Sequence, residues 1–286
     1  MAQKKSVVVT GASTGIGRAV TQVLIQRGLH VFASVRRTVD AEGLVAAFGD
    51  GVTPLVFDVT DEAAVREAAA QVEAVLQGAT LAGLVNNAGV AVAGPLLNLP
   101  LDDWRKQLEV NLTGVVITTQ AFAPLVGARG TAPKDPVRIV NISSVGGRNA
   151  NPFMAPYCTS KFGLEGLSES LRRELLPFGV DVIVVAPGAV ATPIWDKADE
   201  LDIAAYAGTV YAPALERLRA YMLSLGKSGL PPERIGQVVH AALTTPRPKV
   251  RYAVSPDPFQ LFMTEVLPKR TLDRIVGQRL GLLPGG

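Results

Sequence analysis

Short apolar runs alternate with longer amphipathic stretches along most of the chain. Runs of this length, rich in Val and Ile and bounded by turn residues, are typical of buried strands. We therefore predict seven strands, at residues 6–10, 30–35, 53–57, 81–85, 137–142, 180–185 and 250–254. Apolar residues between these runs recur at helical spacing, which predicts helices at residues 16–27, 40–48, 61–76, 104–126, 157–176 and 231–243. Asp61 and Asp102 are the expected side-chain N-caps of two of these helices.

Strands that alternate with helices predict an α/β fold. The expected architecture is a Rossmann-type, doubly wound parallel sheet of about seven strands, with helices on both faces. No linker or change of composition separates two domains, so residues 1–286 are interpreted as a single domain. Residues 190–230, approximately, have weak periodicity and are predicted to form a mobile insert with short helices. Residues 256–286, approximately, form an amphipathic tail that Pro268 interrupts.

Composition narrows the classes of function. The chain is 48% hydrophobic, and its formal net charge of +3 is too small to indicate nucleic-acid binding. Its single cysteine, Cys158, excludes an intrachain disulfide, and two histidines, His30 and His240, leave little for a metal site, so none is expected. No apolar run is long enough to span a membrane, and a cytoplasmic protein is expected.

The tail is expected to pack on the body or on a second subunit. A membrane-surface contact is the alternative, because basic residues lie nearby.

A glycine-rich turn follows the first predicted strand. It reads Thr10-Gly11-Ala12-Ser13-Thr14-Gly15-Ile16-Gly17. Glycines let the chain turn tightly and let backbone approach a phosphate, and the start of the next helix offers unpaired N–H groups. The spacing Gly-x-x-x-Gly-x-Gly differs from the usual Gly-x-Gly-x-x-Gly fingerprint. Its place in the first βαβ unit nevertheless favours dinucleotide binding by Gly11, Ser13, Thr14, Gly15, Ile16 and Gly17.

The end of the second strand indicates which dinucleotide is bound. A carboxylate at this point would bind the ribose hydroxyls of NAD, whereas this chain has Arg36 and Arg37. A guanidinium binds phosphate by its charge and its planar fork of donors. We interpret Arg36 as the partner of a 2′-phosphate, with Arg37 assisting. NADP(H) is therefore favoured, and NAD(H) is the alternative.

Tyr157 and Lys161 are spaced four residues apart at the start of a predicted helix. Residues four apart lie one turn above each other on the same face of a helix. A cation beside a phenol favours the phenolate, so Lys161 is expected to lower the pKa of Tyr157. A tyrosine held in this way can pass a proton near neutral pH.

These residues together resemble the short-chain dehydrogenase/reductase family, in its ordinary single-domain branch. The motifs that carry the resemblance are the glycine turn, Asp58-Val59-Thr60, Asn86-Asn87-Ala88-Gly89, Val110-Asn111-Leu112, Asn141-Ile142-Ser143-Ser144, Tyr157-Cys158-Thr159-Ser160-Lys161 and Pro187-Gly188-Ala189-Val190-Ala191-Thr192. The resemblance implies further cofactor contacts, at Asp58, Val59, Asn87, Ala88, Gly89, Tyr157, Lys161, Pro187, Gly188, Val190 and Thr192.

The resemblance also implies a catalytic role for four residues. Ser144, which lies thirteen residues before Tyr157, would donate a hydrogen bond to the substrate oxygen, with Ser143 as the runner-up. Tyr157 would be the acid in reduction and the base in oxidation. Lys161 would lower the pKa of Tyr157 and bind the nicotinamide ribose. The backbone carbonyl of Asn111 would hold a water near Lys161, while Cys158 is expected to be a packed small residue.

The resemblance implies that the protein interconverts a secondary alcohol and a ketone or aldehyde. The implied substrate is a lipophilic small molecule, such as a steroid or retinoid. The implied assembly is a homodimer or homotetramer. Apolar side chains of the insert are candidates for the substrate pocket: Ile194, Trp195, Tyr206, Tyr211, Tyr221 and Met222. Two alternatives stay open. One is a catalytically silent NADP-binding sensor or scaffold, which would not need all four catalytic residues. The other is an epimerase or dehydratase, for which the chain after Thr192 is short.

Overall fold

A computed structural model of the chain describes residues 4–129, 135–193 and 203–284. Its strands are β1 Ser6–Val9, β2 His30–Val35, β3 Val52–Val56, β4 Gly83–Asn86, β5 Val137–Ile142, β6 Val180–Pro187 and β7 Arg251–Val254. They form one sheet in the order β3-β2-β1-β4-β5-β6-β7, and every neighbouring pair is parallel. The predicted Rossmann-type fold is confirmed. The strand order reverses between β1 and β4, and a crevice for ligands opens there at the carboxyl ends of the strands.

Ten α-helices connect and flank these strands in the described residues. They are α1 Gly15–Gln26, α2 Thr38–Phe48, α3 Glu62–Leu76, α4 Leu101–Leu108, α5 Gly114–Phe122, α6 Ala155–Glu174, α7 Ala212–Ser228, α8 Pro232–Thr244, α9 Pro258–Val266 and α10 Lys269–Leu280. No helix of the described residues combines the length and the apolar character needed to cross a membrane.

The alternating side chains of β1 divide the core into two layers. Val7 and Val9 pack with α1, α2 and α8 on one face, and Val8 packs with α3 and α5 on the other. All three valines are fully buried, and burial of such a side chain stabilises the fold by about 1.5–3 kcal/mol. Both faces of the sheet are therefore covered, as the continuous apolar runs of the strands predicted.

The helical stretch after residue 100 differs from the prediction of one helix at 104–126. Helix α4 begins at Leu101 with Pro100 in the cap position, and the carboxylate of Asp102 accepts from Arg105 instead of capping the helix. A π turn, Glu109–Thr113, separates α4 from α5. Asp61, by contrast, is an N-cap as predicted, because its carboxylate accepts from the Ala64 amide at 3.0 Å.

The insert has more regular structure than its sequence pattern indicates. Helix α7 spans 17 residues, and its apolar face packs on Phe153 and Leu280 rather than on the sheet. Of the candidate pocket residues, Tyr206, Tyr211 and Met222 belong to this cluster, and Tyr221 lies against the guanidinium of Arg279. Ile194 and Trp195 lie outside the described residues.

The tail divides at Pro268, as the sequence predicted, into α9 and α10. Helix α10 packs on α7 through Val276 and Leu280. Helix α9 leaves the side chains of Phe259 and Phe262 largely exposed. The homo-oligomer expected from the sequence stays a prediction.

Candidate active site

The glycine turn after β1 is fastened to the end of β4 by side chains from both segments. The hydroxyl of Thr10 accepts hydrogen bonds from the backbone amides of Asn87 (2.9 Å) and Ala88 (3.0 Å). The side-chain amide of Asn87 donates to the carbonyls of Thr10 (2.9 Å) and Gly11 (3.1 Å). The two strands that border the crevice thus hold the turn in one position.

Two glycines of this turn are required by close approach. Gly11 has φ +67°, and a Cβ there would lie 2.8 Å from the Ala88 Cα. A Cβ on Gly17 would lie 2.1 Å from the Gly11 carbonyl oxygen and 2.5 Å from the Asn87 side-chain nitrogen. The turn therefore has the tight backbone that a phosphate-binding loop needs.

Replacing Gly17 by alanine is expected to distort this turn. Real Cβ atoms do not approach backbone oxygen at 2.1 Å, so the turn or α1 must shift. We expect the affinity for a dinucleotide to fall at least about tenfold, because the shift moves the amides that a phosphate would contact. Titration of NADPH against Gly17→Ala and against Gly43→Ala tests this, since a Cβ on Gly43 meets nothing within 4 Å. Equal affinities for the two variants would contradict the assignment.

The other predicted phosphate residues lie at the N-terminus of α1. Thr14 occupies the cap position and makes no side-chain capping bond. The first amides of a helix have no partner inside the helix, so this end can bind an anion. Ser13 and Ile16 flank this end. Gly15 has φ +55°, and its Cβ position lies 3.3 Å from the Thr192 side chain, so the segment after β6 reaches the same turn.

That segment continues the edge of the crevice. Pro187 ends β6, the Gly188 amide donates to the Val254 carbonyl at 2.7 Å, and Val190 is buried. The structure thus brings the predicted nicotinamide-end segment next to the glycine turn.

The two arginines after β2 have different surroundings. Arg37 forms a bidentate pair with Asp40 of α2, at 2.8 and 2.7 Å. This carboxylate raises the pKa of Arg37. Arg36 is exposed and makes no hydrogen bond within the part of the chain that the structure describes. Arg36 is therefore the guanidinium that remains available to a phosphate.

Ser34, whose role sequence reasoning missed, accepts from the Gly11 amide at 3.1 Å and joins β2 to the glycine turn.

Two of the predicted cofactor contacts, Asp58 and Val59, lie after β3. The carboxylate of Asp58 accepts from the Thr60 amide (3.0 Å) and hydroxyl (2.8 Å), which fixes the turn that leads into α3. Val59 is buried against Gly114 at the start of α5. Asp58 thus has a structural role in its own turn at the edge of the crevice.

Tyr157, Lys161 and Ser144 meet at the carboxyl end of β5. Tyr157 is the third residue of α6, and Lys161 lies one turn later with its Nζ 5.8 Å from the centre of the Tyr157 ring. The Lys161 ammonium donates to the Ile142 carbonyl at 2.9 Å. The hydroxyl of Ser144 accepts from the Gly146 amide at 3.0 Å and is hydrogen-bonded to Tyr157.

Burial governs the protonation of this pair. Burial raises the pKa of Tyr157, and the hydrogen bond from Ser144 opposes the change. Burial lowers the pKa of Lys161 from 10.5 to about 8, and the Glu165 carboxylate opposes the change. The sequence-based prediction of a lowered Tyr157 pKa is wrong for this structure, because desolvation of the phenol has the largest effect and the hydrogen bond from Ser144 does not offset it.

The structure distinguishes the two serines that end β5. Ser143 donates its amide to Val185, and its hydroxyl is buried without a partner among the described residues. Only Ser144 reaches Tyr157. Cys158 is buried, and burial raises the pKa of its thiol, which agrees with a packed small residue.

Asn111 lies in the π turn, and its side chain is fully engaged. Its oxygen accepts from the Val90 amide (2.8 Å), and its nitrogen donates to the Val90 carbonyl (3.0 Å) and the Ser160 hydroxyl (3.2 Å). Gln107 makes a parallel set of contacts, which sequence reasoning missed. Its position four residues before Asn111 on a helix was the available signal.

The fold and this site define a class of proteins: Rossmann-type dinucleotide-binding oxidoreductases with a tyrosine–lysine pair at the carboxyl edge of the sheet. The sequence pattern of the short chain dehydrogenase family matches residues 5–202. The chain belongs to this family, and it is an oxidoreductase of the short-chain type.

Individual relatives agree with this assignment. The chain is 37% identical over 269 residues to an NADPH-dependent 3-dehydrocapnine reductase from Ornithobacterium rhinotracheale, covering 94% of each sequence. It is 34% identical to human retinol dehydrogenase 5 over 286 residues, covering 94% of this chain and 87% of the relative. A short-chain dehydrogenase from Streptomyces avermitilis has a similar structure, with a TM-score of 0.77, 27% identity and coverage of 99% of this chain and 98% of that one.

Proposed function

We propose that the protein is an NADPH-dependent reductase of ketones on lipophilic small molecules, and that it also catalyses the reverse oxidation. The observation that carries this proposal is the Ser144–Tyr157–Lys161 cluster at the edge of the crevice that the glycine turn borders. A bound cofactor in that crevice would supply the hydride, which is chemistry that no side chain here provides.

The residues of the crevice fit such a cofactor. The tight turn at Gly11 and Gly17 and the uncapped N-terminus of α1 suit a pyrophosphate. Arg36 suits the 2′-phosphate of NADP. Lys161 and the segment containing Thr192 suit the nicotinamide end. The printed name of the Ornithobacterium relative, an NADPH-dependent reductase, also favours NADPH and the direction of reduction.

The proposed mechanism follows from the protonation of the site. Ser144 donates a hydrogen bond to the substrate carbonyl oxygen and fixes its place. Tyr157 is protonated at neutral pH, because its pKa is raised, and donates its proton to the same oxygen as negative charge develops there. The Lys161 ammonium stabilises the phenolate that results.

The proposed substrate class rests on apolar surroundings. Phe153 and Tyr206 belong to the buried cluster that joins the insert, α7 and α10 just before the first turn of α6. The Phe153 carbonyl accepts from the Gly94 amide at 2.7 Å, which links this cluster to the loop that follows β4. The name of the human relative, a retinol dehydrogenase, favours a lipophilic substrate.

Arg36→Ala tests the proposed cofactor. We expect the wild type to bind NADPH more tightly than NADH, and Arg36→Ala to weaken NADPH binding by about ten- to a hundredfold with little change for NADH, because a charge-assisted bond to phosphate is lost. Arg37→Ala is the matched control and should change the ratio less, since its guanidinium is held by Asp40. Equal affinities of the wild type for the two cofactors, by fluorescence titration, would reject NADP preference, and tighter binding of NADH would favour NAD.

The catalytically silent sensor is the second candidate. It shares the cofactor site, so cofactor binding does not separate the two proposals. Turnover does: a sensor would bind NADPH and leave it unconsumed across a panel of aliphatic, aromatic and steroidal ketones.

A further inference from the structure

We propose that Gln107 is a positioning residue for the reaction, acting on Tyr157 through Ser160 and on the wall of the crevice through residues 90–92. This inference rests on the proposed function, since it concerns the same tyrosine. It adds a residue to which the family resemblance gives no role.

The loop at residues 87–94 connects the glycine turn to the entrance of α6. It is held at its start by the Thr10 hydroxyl, which accepts from the Asn87 and Ala88 amides. It is held at its end by the Phe153 carbonyl, which accepts from the Gly94 amide at 2.7 Å. Because the loop leaves β4 at the carboxyl edge of the sheet, where the strand order reverses, it borders the crevice. The position of the middle of the loop, residues 90–92, depends on the side chains that form hydrogen bonds with it.

Two side-chain amides hold the middle of the loop. Asn111 pairs with both backbone groups of Val90. Gln107 accepts from the Val92 amide at 2.7 Å and donates to the Val90 carbonyl at 3.0 Å. Gln107 is completely buried, and it uses its oxygen and both hydrogens of its nitrogen. A buried amide that is fully satisfied fixes its partners in one arrangement, because each lost bond would leave a polar group unpaired.

The same two amides meet α6 at Ser160. The Ser160 hydroxyl accepts from Gln107 (3.4 Å) and Asn111 (3.2 Å), and it donates to the Tyr157 carbonyl at 2.7 Å. Gln107 therefore connects the crevice wall to the first turn of α6, which carries the tyrosine. The hydrogen bonds of Gln107 and Ser160 therefore fix the position of Tyr157 relative to the loop.

The contacts of Gln107 predict a particular kinetic effect. Without the amide of Gln107, the hydrogen bonds that join the loop to the first turn of α6 are lost. The hydroxyl of Tyr157 is then displaced from the substrate oxygen. Small displacements of a reacting group lower the rate of the chemical step more than they lower cofactor affinity, because the glycine turn and Arg36, which are proposed to bind the cofactor phosphates, make no hydrogen bond with Gln107. Loss of Gln107 should therefore lower kcat and leave the KM for NADPH nearly unchanged.

The test uses Gln107→Met, which keeps the length of the side chain and removes its hydrogen bonds. We expect kcat for ketone reduction to fall about tenfold or more, with the KM for NADPH within about twofold of the wild type. Thermal unfolding of the variant fixes a temperature at which the chain is folded during the assay. Wild-type kcat at that temperature would overturn the inference.

A matched pair of serines on α6 separates positioning from general stability. Ser160 and Ser168 are both fully buried, and both donate to a carbonyl one turn earlier, at 2.7 and 2.6 Å. Ser160 accepts from Gln107 and Asn111, whereas Ser168 accepts from Asn141. Ser160→Ala should lower kcat, and Ser168→Ala should lower the unfolding temperature with kcat within about twofold of the wild type.

Double variants complete the experiment. Gln107→Met and Ser160→Ala should be non-additive in kcat, because they break one chain of bonds, whereas Gln107→Met and Ser168→Ala should be additive. If Gln107→Met does not fold, the comparison of Ser160→Ala with Ser168→Ala decides alone. Equal kcat for these two serine variants overturns the inference. Failure of the proposed function is distinguishable, because it would appear as the absence of ketone reduction by the wild type itself, before any variant is compared.

Discussion

Replacing Tyr157 by phenylalanine is expected to lower kcat for ketone reduction by about a thousandfold. The substitution keeps the ring and removes the hydroxyl, which is the only group of this residue that can donate a proton. Its partner Ser144 can still bind the substrate oxygen but cannot release a proton to it at neutral pH. The remaining rate reflects binding and orientation alone.

Cofactor affinity provides the internal check for this variant. The glycine turn and Arg36 do not contact the Tyr157 hydroxyl, so the dissociation constant of NADPH should stay within about threefold of the wild type. Tyr252→Phe is the matched control, because it removes a tyrosine hydroxyl that accepts from the Lys249 amide, away from the crevice. Turnover by Tyr157→Phe equal to that of Tyr252→Phe would show that Tyr157 is not the proton donor.

The second large effect is the dependence of reduction on Lys161 and pH. Burial lowers the pKa of Lys161 to about 8, so the ammonium is charged below this pH and is lost above it. Because the cation stabilises the developing phenolate, kcat/KM for reduction should be level below pH 8 and should fall by up to about tenfold per pH unit above it. Tyr157 keeps its proton through this range, because its pKa is raised.

Lys161→Met should lower kcat/KM by about a hundredfold at pH 7 and remove the decline near pH 8. Stability gives an independent readout of the same pKa. Between pH 8 and 10.5 the unfolded chain binds a proton at this lysine that the folded chain has released, so the free energy of unfolding of the wild type should rise with pH relative to Lys161→Met. A decline of kcat/KM near pH 8 that persists in Lys161→Met would assign it to another group.

The strands and their alternation with helices could be predicted from the sequence because they depend on short-range patterns, whereas the order of the strands in the sheet comes from the structure. β2 and β5 have the predicted bounds, and the other strands shift by up to two residues. Helix α7 was missed because its apolar residues pack on α10 and Phe153 and not on the sheet. The periodicity of apolar residues that marks the sheet-packing helices is therefore weak in this segment. The π turn could not be foreseen either, since local propensity does not distinguish it from α-helix.

The candidate site was predictable where one motif carries the residues. Ser144, Tyr157 and Lys161 stand at recognisable spacings, and the structure brings them together. Gln107 and Ser34 act on segments that are distant in the sequence. The four-residue spacing between Gln107 and Asn111 was the one signal for the first, and no local spacing indicates the contact of Ser34 with the glycine turn. The direction of the Tyr157 pKa shift was mispredicted because burial, which a sequence does not show, has the largest effect on it.

The most direct test of the proposed function follows deuterium from the cofactor to the product. The wild type is incubated with NADPH that carries deuterium at both positions of nicotinamide C4, so that transfer from either face delivers the label, and with a panel of ketones from aliphatic to steroidal. The products are analysed by mass spectrometry. We expect an alcohol with one deuterium on the former carbonyl carbon, formed by the wild type and nearly absent with Tyr157→Phe. Tight NADPH binding without any deuterated alcohol across the panel would contradict the proposed function and favour the sensor.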